Sequence, residues 1–227
     1  MDQFDSQMLA LNIELYGWGP WYISNDTAEN YQHTWIPITA DWVGAFNKII
    51  IDIVPNKTIA VQAGGWQGVY PFLLSNMFDA VYTFEPDPKN FHCLVKNCQK
   101  ENIFKFNTAL SDKSGVVRFD RTPSSGQHRV NHNNHSLYDI PVLSTIGVPA
   151  VSVDSLNLEN LSFLMIDVEN YENQVIDGAM ETILKYSPVI CIEKSFLPEN
   201  DEKIDQKLTE LGYKKIVELT TNIFYSM

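Results

Sequence analysis

From residue 58 onward, short apolar runs alternate with amphipathic stretches, and this alternation restricts the fold more than any other feature of the chain. "TIAVQA" (58–63), "AVYTFE" (80–85), "IFKFNTAL" (103–110), "LSFLMIDVE" (161–169) and "PVICIE" (188–193) read as strands. They are apolar almost throughout, as strands buried on both faces must be. Between them lie helical patterns: "VYPFLLSNMF", with Pro71 in its first turn, and "DPKNFHCLVKNCQKEN", with Asp87 as N-cap and Pro88 at the first helical position. The apolar stripe of the second is Phe91, Leu94, Val95 and Cys98. "ENQVIDGAMETILKY" reads as one further helix with Val175, Ile176, Ala179, Ile183 and Leu184 on one face, and "PENDEKIDQKLTELGY" as a charged amphipathic one. Strands alternating with helices give a parallel sheet with right-handed crossovers. The last two strands, "KKIVELT" and "NIFYS", meet at a tight turn around Thr221 and Asn222, so the final strand runs antiparallel.

Two segments stand outside that rhythm. Residues 1–57 form an aromatic-rich N-terminal extension, holding Trp18, Trp21, Trp35 and Trp42, ahead of the repeating unit of 58–227. There "LYGWGPWYIS" reads as irregular chain or a short hairpin, and Val43, Phe46, Ile50 and Ile53 mark a helix with Thr39 as its N-cap. These aromatics pack on the sheet or cover a ligand. The second segment, 121–149, is polar and turn-rich, a long loop or a hairpin insertion, with "GVVRF" (115–119) pairing with a neighbour.

Charge narrows the function. With 16 basic and 28 acidic residues the net charge is −12, which disfavours a phosphate backbone or an anionic membrane as partner. Cys93, Cys98 and Cys191 are too few and too scattered for a disulfide framework or a zinc cluster. The beginning "MDQFDSQ" shows no apolar signal segment, and no run has the length of a membrane span, so the expected compartment is the cytoplasm.

Three places carry chemistry. "QAGGWQG" (62–68) ends the first strand, where ligands bind in such sheets. It is not a dinucleotide fingerprint, since Trp66 and Val69 stand at the third and sixth positions counted from Gly64, and no Lys-Ser or Lys-Thr follows to make a P-loop. Glu85 ends the second strand 21 residues after Gly64, where an acid accepts hydrogen bonds from ribose hydroxyls. Together the two suggest an adenosine-bearing ligand without a pyrophosphate. Asp167 and Glu169 close an otherwise apolar strand; as carboxylates too costly to bury unpaired, they belong at the mouth of the sheet, above the same crevice. His128, His132 and His135 fall within eight residues, but in an Asn- and Gly-rich segment that reads as a solvated loop, so no metal site is expected.

Four ordered stretches resemble one family: "QAGGWQG", "FEPDP" (84–88), "ALSD" (109–112) and "MIDVENYE" (165–172), continuing through "DGAMETILKYSPVICIE". They are similar to the pattern of the FkbM-type S-adenosylmethionine-dependent methyltransferases: an acid before a Gly-Ala-Asn-x-Gly loop, Phe-Glu-Pro-x-Pro, Ala-Leu-Ser-Asp and Lys-Ile-Asp-Val-Glu-Gly-x-Glu. The resemblance implies a Rossmann-like class I methyltransferase fold, a mostly parallel seven-stranded sheet with a terminal antiparallel hairpin and helices on both faces. It implies S-adenosylmethionine as cofactor, held by Gln62, Ala63, Gly64, Gly65 and Gly68 at the methionine end. Glu85 then binds the ribose, Pro86 and Ala109 flank the adenine, and Asp167 faces the sulfonium. Asp167 or Glu169 is the expected general base for a hydroxyl acceptor on a small molecule or saccharide, with His33 or the 128–135 histidines in reserve. Gln62 stands in place of the acid near the methionyl ammonium, Trp66 and Gln67 alter the loop, and Met165 and Asn170 replace lysine and glycine. A non-catalytic module of the same fold and an adenosine-nucleotide-binding regulator are the alternatives.

Overall fold

The structure is a computed structural model that describes residues 8–12, 20–24, 35–123, 125–131, 141–195 and 198–227. Strands β1 (Met8–Asn12) and β2 (Pro20–Ser24) form an antiparallel hairpin, followed by helix α1 (Trp35–Ile53). The repeating unit then runs β3 (Ile59–Ala63), α2 (Val69–Leu74), β4 (Ala80–Phe84), α3 (Pro88–Asn97) and β5 (Ile103–Phe106). Next come four short or insertion strands, β6 (Ala109–Leu110), β7 (Gly115–Arg121), β8 (Arg129–Val130) and β9 (Ser144–Val151). The chain ends with β10 (Leu161–Ile166), α4 (Glu172–Asp177), α5 (Met180–Tyr186), β11 (Val189–Glu193), α6 (Pro198–Glu210), β12 (Lys214–Glu218) and β13 (Asn222–Ser226).

Seven strands make the main sheet in the order β12-β13-β11-β10-β3-β4-β5. Pairings among β11, β10, β3, β4 and β5 are parallel, whereas β13 runs antiparallel to both β11 and β12. The chain therefore works outward from β3 to β5 and returns to the other side of β3 as β10. The order reverses between β3 and β10, and there a crevice opens at the carboxyl ends. Alternation along the strands divides the core between two faces. Phe163 and Met165 join Phe46, Ile50 and Leu74 under α1 and α2, while Leu164 and Ile166 join Val175, Ile183 and Leu208 under α4, α5 and α6.

Several elements depart from the sequence reading. Helix α1 begins four residues before Thr39, so Thr39 lies inside the helix rather than capping it. The stretch 103–110 is not one strand: after Phe106 the chain leaves the main sheet, and Ala109 and Leu110 pair with Ala150 and Val151. The polar insertion is a second sheet, β6-β9-β7-β8, built on the β7–β9 ladder from Gly115↔Ala150 to Arg121↔Ser144. The expected helix 172–186 breaks at Gly178, where a side chain would sit 2.0 Å from the Ser111 carbonyl oxygen. On α3 the buried face is Asn90, Cys93, Leu94 and Asn97, with Val95 turned outward.

Candidate active site

The glycine loop is shaped by what crowds it. Gly64 has φ +82°, and a Cβ there would lie 1.7 Å from the Asp167 carbonyl oxygen. Only glycine permits that approach of the β3 and β10 ends. The amides of Gly64 and Gly65 both donate to the Phe84 carbonyl, at 3.0 and 2.9 Å, so the loop is folded over the end of β4. Gln62 is fully buried on β3: its Nε2 donates to the Gly64 carbonyl at 2.6 Å and the Ala63 carbonyl at 3.2 Å, and its Oε1 accepts from Thr83 Oγ1 at 2.6 Å. The amide braces the loop from beneath.

Glu85 follows β4 and is nearly buried. Its two carboxylate oxygens accept from the Trp66 amide at 2.7 Å and the Asp87 amide at 2.8 Å. Burial first, and then the charge of Asp87, push its pKa up to about 8 against the pull of those amides and of Asn90. Asp87 has a double role. One oxygen caps α3, accepting from the amides of Lys89 and Asn90 at 2.9 Å each, and the other pairs with Arg121 Nε at 2.7 Å. His128 of the insertion, buried against Phe119, has Nε2 3.9 Å from that same oxygen, while its Nδ1 accepts from the Thr122 amide at 3.1 Å. The insertion sheet is thus fastened over the β4 end.

Across the crevice stand three carboxylates. Asp167 and Glu169 leave β10, Glu193 ends the neighbouring β11, and their oxygens lie within 4.8 Å of one another. Burial raises the pKa of Asp167, and burial together with the nearby Asp167 charge raises that of Glu193 much further. The two carboxyls are hydrogen-bonded to each other. Burial, then Asp167 and Glu172, lift Glu169 to about 8. The turn that carries them is unusual: Glu169 (φ +56°) and Asn170 (φ +74°) are both left-handed. Buried Glu172 holds it, accepting from the amides of Val168 at 3.3 Å and Asn170 at 3.1 Å.

These parts enclose a cavity of about 400 Å³ at the switch point. Of the residues singled out in the sequence, Gly64, Gly65, Glu85, Pro86, Ala109, Asp167 and Glu169 line it. Gln62, Ala63 and Gly68 do not; Gln62 and Ala63 belong to β3, and Gly68 ends the loop at the start of α2. His128 faces the cavity, whereas His33, His132 and His135 lie outside the described residues. Tyr70, Glu193 and Thr221 were not foreseen, yet they line the same wall as Asp167. Glu193 was within reach, since "VICIE" ends in an acid at the carboxyl end of a parallel strand just as "AVYTFE" does.

A family model for the methyltransferase FkbM domain matches residues 52–215. The chain belongs to the FkbM methyltransferase family. Its sequence matches none of the curated proteins. Among solved structures it is similar to the methyltransferase FkbM from Methylobacillus flagellatus KT, with a TM-score of 0.55 and 14% identity, over 75% of this chain and 43% of that one. The present chain thus spans less than half the length of that relative. An rRNA methylase from Streptococcus thermophilus is similar at a TM-score of 0.49 and 10% identity, over 80% of this chain and 93% of that one. A putative methyltransferase from Streptococcus mutans in complex with SAH is similar at 0.45 and 10%, over 81% and 96%. The sheet order and the likeness to the Methylobacillus structure give the chain the mixed α/β, Rossmann-like fold of class I methyltransferases, and among its described residues no helix is long and apolar enough to cross a membrane.

Proposed function

We propose that the protein binds S-adenosylmethionine in this cavity and methylates a hydroxyl oxygen of a small molecule or saccharide. The observation that carries the reading is the polarity of the cavity. One end has Glu85 beside the apolar Phe84, Pro86, Ala109 and Leu110, and the other has three clustered carboxylates. An adenosine fits the first end, its ribose on Glu85 and its base among the apolar side chains. A positively charged methionyl sulfonium fits the second. The close approach at Gly64 leaves the backbone itself as the wall between them.

When bound, the cofactor supplies an electrophilic methyl group on sulfur. The protein's part is to align an acceptor oxygen with it, to exclude water and to take up the acceptor's proton. Glu169 is suited to the last task, because a carboxylate with a pKa of about 8 sits near the operating pH. Asp167, hydrogen-bonded to Glu193, is suited to holding positive charge. The acid-lined wall and the net charge of −12 favour neutral polyols or cations over phosphates and nucleic acids.

Calorimetry with S-adenosylmethionine, S-adenosylhomocysteine, NAD and ATP tests the first half. Binding of the first two but not of NAD is expected; preference for ATP or NAD would replace the reading with a nucleotide-binding one. Mass spectrometry of a hydroxyl-acceptor panel tests the second half. Cofactor binding without methyl gain on any hydroxyl, but with gain on an amine, would overturn the O-methyl assignment.

A further inference from the structure

The back of the glycine loop carries a contact that the methyl-transfer reading does not use. Asn97, the last residue of α3, is buried and lies outside the cavity lining. Its Oδ1 accepts from the Tyr22 amide at 2.7 Å, and its Nδ2 donates to the Tyr22 carbonyl at 2.8 Å and to the Gln67 carbonyl at 2.7 Å. One side chain therefore joins the backbone of the N-terminal strand β2 to the backbone of the loop. Parallel contacts reinforce it. Gln67 Nε2 donates to Ser24 Oγ at 3.3 Å, and Cys98 Sγ to the Gly68 carbonyl at 3.2 Å. Trp21, 1% exposed, meets Phe72 of α2 edge-on at 5.7 Å. Lys96 stands over the Tyr22 ring at 5.3 Å.

The loop is thus held between two surfaces. Gly64, Gly65 and Trp66 face the cavity, and Gln67 and Gly68 face Asn97 and β2. Trp66 (φ +44°) keeps a left-handed backbone that a non-glycine residue holds only under outside constraint, so the loop needs contacts beyond itself to stay in shape. Gln67 is part of those contacts. We infer that Asn97 is a positioning residue for cofactor binding: it clasps β2 to the back of the glycine loop, so that a strand whose residues lie outside the cavity lining sets cofactor affinity. By linkage, a ligand that favours the formed loop must also tighten the hairpin.

The inference rests on the proposed cofactor for one of its two arms only. In the free protein, Asn97→Ala should speed hydrogen exchange at 20–24 and 64–68 while amides of β10 and β11 keep their protection. Trp21→Ala, which loosens the same strand from its apolar side, should do the same if Asn97→Ala folds poorly. In the second arm, Asn97→Ala should weaken S-adenosylmethionine binding about tenfold, and cofactor should slow exchange at 20–24 in the wild type. Tyr213→Phe, which removes a buried hydrogen bond to the Pro188 carbonyl on the far side of the sheet, is the control for general destabilisation. Unchanged loop exchange in both Asn97→Ala and Trp21→Ala, or an equal effect from Tyr213→Phe, would overturn the clasp. Failure of the wild type to bind S-adenosylmethionine would overturn the functional reading instead, and the exchange arm would still decide the clasp.

Discussion

Gln62 and Met165 look like separate departures from the family pattern, yet the ladder makes them one. They are register partners on β3 and β10, on the sheet face that packs under α1 and α2, and Met165 is fully buried there. The family pattern puts an acid and a lysine at these two positions; here both charges are missing together. A neutral pair in an apolar core is stable, whereas one restored charge is not. Met165→Lys alone should cost about 3–5 kcal/mol. Gln62→Asp alone should cost roughly 2–4 kcal/mol, because it buries a carboxylate and takes the donor from the Gly64 carbonyl. The double variant should recover at least about 1 kcal/mol of their sum in urea melts; additivity within about 0.5 kcal/mol would show that the two do not meet. Glu85 gives the second test at this scale. Its oxygens already accept two backbone amides and have lone pairs left for ribose hydroxyls. Glu85→Ala should weaken S-adenosylmethionine at least tenfold by calorimetry, a loss of about 2–4 kcal/mol.

Among the elements, Asp87 joins the Glu85 end of the cavity to the insertion sheet, and its two oxygens can be separated by mutation. Asp87→Asn keeps a cap for α3 but loses the ion pair with Arg121; Asp87→Ala loses both. The alanine variant should be less stable than the asparagine variant by about 1 kcal/mol in thermal melts. Both should raise protease cleavage within the insertion 121–149, and equal resistance to the wild type would show that the insertion sheet is held elsewhere. That cap was legible: Asp-Pro before an apolar stripe is a helix start on local grounds alone. The parallel strands were legible too, because burial on both faces leaves near-continuous apolar runs such as "LSFLMI". What failed was set at a distance. Gly178, at the break, is required by the Ser111 carbonyl that any side chain there would meet, and α5 beyond it is capped by Asp154, which accepts from the Thr182 amide at 2.8 Å and the Glu181 amide at 3.1 Å. The break in 103–110 arises because Ala109 and Leu110 find partners in β9, some 40 residues later. At the site, residues at strand ends were readable one at a time. The convergence of Glu193 and Tyr70 on Asp167 depends on which strand lies beside which.

At the scale of the whole molecule, the cavity stores electrostatic strain that pH should reveal. Burial raises Glu85 and Glu169 to about 8 and Glu172 to about 7, and lifts Asp167 and Glu193 as well. A raised carboxyl pKa means that the folded protein keeps protons which the unfolded chain has already released. Between the ordinary carboxylate range, about 4.5, and about 8, the native state therefore binds more protons than the unfolded one, and stability falls as pH rises through that window. This is opposite to the usual behaviour of a salt-bridged acid. If the net loss is roughly 1–2 kcal/mol, the melting temperature of the free protein should drop by about 2–8 °C from about pH 5 to pH 8. General repulsion in a chain of net charge −12 acts in the same direction, but the two sources can be told apart. Glu169→Gln or Glu193→Gln removes a member of the cluster, so either should flatten the slope markedly, while Glu202→Gln, which removes an exposed charge from α6, should not. A sulfonium bound among these carboxylates would favour their ionised forms, so the cofactor's stabilising shift should grow over the same window. Calorimetric scans of the free and loaded protein across that range check both halves. A free protein whose melting temperature rises toward pH 8, or a Glu193→Gln variant with the wild-type slope, would show that the cluster does not govern the molecule's response.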